Sequence, residues 1–185
     1  MKQNKNKSPG DSWRTPIEVF NTLNREFEFV ADMAASHKNA LRPIYFTEEN
    51  DSLSLDWTKE VFSRITKGNA YVWLNCPYSN PMPWVKKALE AQAGGLGVVM
   101  LLNDDTSVGW FSEALKGVSE IRHIVADATP KGKLEYSTGR IAFIDGDGNP
   151  ISGNNKPQFI LIFNPFKIGA QVTSYIPKSS LYKDQ

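Results

Sequence analysis

Apolar positions along this chain follow a helical rhythm first and shorter, denser runs afterwards. Ile17, Phe20, Leu23 and Phe27 fall near one face of a helix. Thr15 stands ready to cap it, Pro16 suits its first turn, and Glu18, three residues after Thr15, would complete a capping box. Phe27-Glu28-Phe29-Val30-Ala31-Asp32 then alternates like a strand and ends on a carboxylate. Pro43 to Phe46, Tyr71 to Leu74 and Val98 to Leu102 are brief apolar runs, too short and too β-prone for helices, and are predicted to be buried strands. Asp56-Trp57 comes before a polar stretch that runs through Gly68, between two of them. Proline is tolerated only in a first turn, so Pro81-Met82-Pro83-Trp84 starts a helix that runs to about Ala93 and stops at Gly94-Gly95. A further helix covers Trp110 to Leu115, with Gly117 as its stop.

From Glu120 onward the pattern changes to strands: Ile121 to Val125, Arg140 to Ile144 and Phe159 to Phe163. Asp145 to Pro150 is a turn rich in residues that tolerate positive φ; its alternating acids suggest a calcium loop, but the remaining ligands and flanking helices of an EF-hand are missing. Helices alternating with strands and then strands in succession predict an α/β fold, a mostly parallel sheet finished by a C-terminal antiparallel hairpin. Residues 1–10 are expected to be a flexible basic arm, 11–166 one domain, and 167–185 a tail with one weak strand.

Composition narrows the class only a little. A chain of 185 residues, 41% apolar and 22% charged, suits one globular domain, and a net charge of +1 argues against nonspecific coating of nucleic acid. No apolar run approaches the ~18 to 20 residues of a membrane span. The lysines of the first seven residues precede no apolar segment, unlike a secretory signal. A single cysteine, Cys76, permits no internal disulfide and fits a reducing cytoplasm.

Ligands of open α/β sheets bind beyond the carboxyl ends of the strands. Asp32 with Met33-Ala34-Ala35-Ser36, the acidic turn Glu48 to Asp51, and Asn75-Cys76-Pro77-Tyr78 all fall at such ends. Carboxylates at separated points along a sheet edge suit a nucleotide-like ligand with amine, ribose and base groups. No glycine-rich phosphate loop is present, which disfavours a polyphosphate cofactor, and no metal is expected. His37 in a loop and His123 in a strand give Cys76 no evident base, so a covalent role for that thiol is disfavoured. Ala126 to Thr138, with Pro130, Lys131, Gly132, Lys133 and Tyr136, is a loop whose lysines could touch phosphate, and Asn103 to Ser107 is a polar loop at another strand's carboxyl end.

Asp11-x-Trp13-x-Thr15-Pro16, Asp32-Met33-Ala34-Ala35, Asp51 with Asp56-Trp57, Asn75-Cys76-Pro77-Tyr78-Ser79 with Trp84, and Gly139-Arg140-x-x-Phe143 occur in that order. Together they resemble the phage-type, or Dam-type, DNA N6-adenine methyltransferases, over about residues 11 to 165. The resemblance implies a Rossmann-like, S-adenosylmethionine-dependent enzyme acting on a flipped adenine in double-stranded DNA, in the host cytoplasm if phage-encoded. It implies that Thr15, Pro16, Asp32, Ala34 and Ala35 hold the methionine end of the cofactor, that Asp51 meets its adenine amine, and that Asn75 lies between cofactor and target. Asn75, Pro77 and Tyr78 would hold the target adenine, and Lys131, Lys133 and Arg140 would touch DNA. No motif residue assigns the ribose, for which Glu48 or Glu49 is available. The family pattern has proline where Cys76 stands, so one φ lock is lost and a backbone N–H gained. A same-fold enzyme acting on RNA or a protein amide, and a catalytically silent cofactor- or DNA-binding module, stay open, as do the recognition sequence and the oligomeric state.

Overall fold

The computed structural model describes residues 9–66, 68–129, 136–151, 154–167 and 169–182. Among these, seven strands form one sheet: β1 (Ala31–Asp32), β2 (Ile44–Tyr45), β3 (Ala70–Leu74), β4 (Leu96–Asn103), β5 (Glu120–Val125), β6 (Gln158–Phe163) and β7 (Val172–Pro177). Their spatial order is β2-β1-β3-β4-β6-β5-β7. Every neighbouring pair is parallel except those made by β6, which runs antiparallel to both β4 and β5. The fold is the mostly parallel α/β sheet that the element order predicts, with β5 and β6 as its antiparallel pair.

Side chains on a strand alternate between faces, and β4 shows why both faces are covered. Val98, Met100 and Leu102 pack with α2 (Trp57–Phe62), α3 (Met82–Ala93) and α4 (Gly109–Ala114) through Trp57, Val61, Val85, Ala88 and Phe111. Val99 and Leu101 face the other way, toward α1 (Ile17–Phe27), where Val19, Phe20 and Leu23 meet Phe29 and Trp73. Each fully buried side chain of this size contributes about 1.5 to 3 kcal/mol. No helix among the described residues is long and apolar enough to cross a membrane.

Four local expectations change in the folded chain. The capping box does not form: α1 begins after Pro16 without a side-chain cap, and Thr15 is turned into the interior instead. Asp56 caps an unanticipated helix, α2, by accepting from the Lys59 N–H at 3.0 Å, while Trp57 and Val61 are buried beneath it. Arg140 to Ile144 is not a sheet strand, because β6 already has β4 on one side and β5 on the other and offers no vacant edge. The backbone of 141–144 is satisfied elsewhere: Ile144 exchanges two bonds with Arg14 at 2.8 and 2.9 Å, Phe143 accepts from the Ile151 N–H, and buried amides of Asn154 and Gln158 hold Ile141. The weak strand of the expected tail is β7, which pairs with β5 over six positions and forms the sheet's edge.

Gly139 sits where the backbone of this segment crosses the end of β5. A Cβ there would lie 2.6 Å from the Val125 carbonyl carbon and 2.8 Å from the Ala126 nitrogen, so only glycine allows the approach.

Candidate active site

From β1 the chain steps to one side to make β2, and then returns to the other side of β1 to make β3. The strand order therefore reverses between β1 and β3, and open α/β sheets take their ligands beyond the carboxyl ends of the strands at such a switch point. Asp32, the last residue of β1, pairs in register with Trp73, so Asn75 follows two residues further along the opposite wall.

Asp32 is buried, and among the described residues its two carboxylate oxygens accept from backbone alone: Ala34 N–H at 3.4 Å and Leu41 N–H at 3.1 Å. Burial raises its pKa to about 6 against the lowering effect of those two donors. Among the described residues no cation pairs with it. Thr15 is 7% exposed, and its buried hydroxyl has no hydrogen-bond partner among the described residues. A desolvated carboxylate lacking a counter-ion and an orphaned hydroxyl are what a polar, cationic ligand would satisfy.

Asp51 is exposed and adopts a left-handed φ of 48°, which aspartate tolerates better than most side chains. Its turn is tied to the chain just after β1: the Ser52 hydroxyl donates to the Met33 carbonyl at 2.7 Å, and the buried Trp57 indole N–H donates to the Ser52 carbonyl at 2.7 Å. Of the pair Asp56-Trp57, Trp57 supports the Asp51 turn through Ser52, while Asp56 caps α2. Ala34 and Ala35 form the small-residue turn beside it, Ala35 N–H donating to the Phe46 carbonyl.

Asn75 is half-buried, and its side-chain Nδ2 donates to the Trp13 backbone carbonyl at 3.4 Å. Among the described residues that is the bond its amide makes, which leaves Oδ1 as a free acceptor. Cys76 is buried, and burial, with a smaller push from Asp11, drives its thiol pKa upward, so no thiolate nucleophile is available. Tyr78 contacts both cores and meets Phe143 in a T-shaped pair at 5.9 Å. Its buried hydroxyl has no partner among the described residues, and burial raises its pKa well above 10, so it stays protonated. Pro77 lies half-buried between them.

The structure thus gathers Thr15, Asp32 to Ala35, Asp51 and Asn75 to Tyr78 around the parallel half of the sheet at its carboxyl edge. Arg140 is exposed on the segment after Gly139, while Lys131 and Lys133 lie outside the described residues, as do the arm's Lys2, Lys5 and Lys7. Among the described residues no group of three His, Cys, Asp or Glu could hold a metal ion. His123 is bonded to Asp104 and stacked at 5.0 Å on Tyr175, and His37 is bonded to Tyr45 and Glu49 at the surface; neither serves Cys76.

Sequence reasoning assigned no task to Asp11, Trp13 or Phe143. Asp11 Oδ1 accepts from the Ser79 N–H at 3.0 Å, and the Trp13 ring lies 5.7 Å from Phe143. Their only advance signal was membership of the motifs Asp11-x-Trp13 and Gly139-Arg140-x-x-Phe143.

A family model described as DNA N-6-adenine-methyltransferase (Dam) matches residues 2–185. The DNA N-6-adenine-methyltransferase of Escherichia phage T1 is 38% identical over 176 residues, covering 92% of this chain and 70% of the relative. That of Haemophilus phage HP1 (strain HP1c1) is 33% identical over 180 residues, covering 95% of this chain and 91% of the relative.

Proposed function

The chain belongs to the DNA N-6-adenine-methyltransferase (Dam) family, enzymes of adenine-specific DNA methylation, and we propose that its chemistry runs beyond the carboxyl ends of β1 and β3. S-adenosylmethionine is the methyl donor and a flipped adenine of double-stranded DNA the acceptor. The observation that carries this reading is the Asn75 amide, held by its nitrogen so that its oxygen is left to accept.

S-adenosylmethionine, when bound, supplies a sulfonium methyl group as electrophile. Thr15, Pro16 and Asp32 to Ala35 would hold its methionine end, where Asp32 gains the cation it lacks and the Thr15 hydroxyl gains a partner. Asp51, tethered through Ser52, would accept from the adenine amine of the cofactor.

The lone pair of adenine N6 is delocalised into the ring, so the amine is a poor nucleophile. Asn75 Oδ1 accepts one N6 hydrogen and a backbone carbonyl at Cys76 or Pro77 the other, which stabilises positive charge as it develops on nitrogen. No strong base is required, and the proton shed afterwards leaves to solvent. Extruding the base costs a few kcal/mol, and stacking on Tyr78 returns about 1 to 3 kcal/mol. Arg140, with Lys131 and Lys133, would steady the phosphate backbone. The place of action proposed with this substrate is the host cytoplasm, as for a phage-encoded enzyme.

Incubation with S-adenosylmethionine labelled in the methyl group and unmethylated duplex DNA, followed by nucleoside analysis, tests the reading. Label in N6-methyldeoxyadenosine is the expected product; label confined to RNA or protein substrates, or none at all, rejects it.

A further inference from the structure

Asn75 to Ser79 is gripped at both ends by one short piece of chain. At the near end the Trp13 carbonyl accepts from Asn75 Nδ2 at 3.4 Å, and at the far end Asp11 Oδ1 accepts from the Ser79 N–H at 3.0 Å. That piece comprises the last two residues of the 3-10 turn Pro9–Ser12 together with Trp13 and Arg14. It is itself anchored: Arg14 exchanges two backbone bonds with Ile144, and its guanidinium Nη2 donates to the Gly146 carbonyl at 3.1 Å. Phe143, one residue before Ile144, is 1% exposed and touches both the Trp13 and the Tyr78 rings.

We propose that residues 11–14 are a positioning strap for the reaction, with Asp11 its latch. The reasoning rests on the function assigned to Asn75 above. An asparagine side chain can present oxygen or nitrogen to a substrate, and the carbonyl of Trp13 accepts only from nitrogen, so it selects the orientation that presents oxygen. The loop that begins at Asn75 is packed in its middle through Cys76 and Tyr78, but its far end, Ser79, is exposed, so that end depends on the bond made by its N–H. The Asp11 carboxylate is placed for that task, a charge-assisted bond to a backbone N–H. Misplacing a reacting group by about 1 Å can cost about 100-fold in rate, so loosening the latch acts on turnover rather than on ligand binding. Asp11 and Trp13 are positioning residues that act through Asn75.

The test compares Asp11→Ala with Asp11→Asn, which keeps a carbonyl acceptor for Ser79. Asp11→Ala is expected to lower kcat by about 10- to 100-fold with the Kd for S-adenosylmethionine and the KM for DNA within about twofold of the parent. Asp11→Asn is expected to recover most of the loss. Amide hydrogen exchange at Ser79 should be slow in the parent and in Asp11→Asn and fast in Asp11→Ala. That last measurement needs no turnover, so it separates failure of the strap from failure of the proposed reaction: a parent without methylation rejects the reaction alone, while unaltered exchange rejects the strap. Unchanged kcat in Asp11→Ala, equal losses in both variants, a loss confined to cofactor affinity, or an Asp11→Ala chain that does not fold would each overturn the proposal.

Discussion

The Ser52 hydroxyl donates to the Met33 carbonyl at 2.7 Å, a buried bond between residues 19 apart that seats the Asp51 turn against the carboxyl end of β1. Removing the hydroxyl leaves the Met33 carbonyl buried without that donor, which costs about 1 to 3 kcal/mol. Ser52→Ala should therefore lower stability by that amount in urea unfolding. It should also weaken S-adenosylmethionine binding in calorimetry, since Asp51 loses its tether. A variant equal to the parent in both measurements would show that the turn holds itself.

Asn75→Ala should reduce kcat by about 100- to 1,000-fold, the range for losing one preorganised transition-state partner. Binding of S-adenosylmethionine should be little affected, because the buried groups proposed to hold the cofactor, Asp32 and Thr15, are untouched. Single-turnover methylation alongside equilibrium binding separates the two effects. Full activity in this variant would remove Asn75 from the N6 contact.

The pKa of Asp32, raised by burial to about 6, makes two pH effects of opposite sign. In the ligand-free protein the folded carboxyl holds its proton more tightly than the unfolded one, whose pKa is about 3.9. It thus contributes stability that is fully present below the unfolded value and lost as pH rises through about 6, on the order of 3 kcal/mol in all. The cationic cofactor favours the ionised form, so its affinity should be full above about pH 6 and fall as pH drops through that value. Calorimetry at about pH 5.5 in buffers of different ionisation enthalpy should register proton release on binding. Asp32→Asn should flatten the dependence; a pH-independent parent would show that Asp32 does not face the cofactor's charge.

Cys76 is 3% exposed, and burial keeps its thiol protonated. Cys76→Ala should retain kcat within about threefold while losing about 1 kcal/mol of stability for the small side chain removed. Alkylating reagents should modify Cys76 only after unfolding, as followed by mass spectrometry. Rapid modification of the folded protein with loss of activity would indicate a reactive thiol.

Much of the sheet was legible because its signals are local. The apolar runs ending at Asp32 and Leu74 mark strand ends, and the prolines before Trp84 and the glycines after Ala93 bound α3 within a residue or so. In a parallel sheet those ends are where ligands bind, so Asp32 and Asn75 could be singled out without coordinates. The same local rules misjudged residues whose environment comes from elsewhere in the chain. Thr15 has the look of a cap but is drawn inward beside Pro16, and β7 looks weak because an edge strand is buried on little of its surface.

What the sequence by itself determined was the helices α1, α3 and α4 and the buried strands, with the polar groups that stand at their ends, since periodicity and turn chemistry act over a few residues; α2 escaped it. Only the tertiary structure decided that β6 inserts between β4 and β5, leaving 141–144 without a strand to pair, and that Asp11 and Trp13 meet residues 62 to 68 positions away. Such contacts follow from which sheet edges and loop ends remain open once the other elements have packed, a property of the whole chain that no local pattern carries.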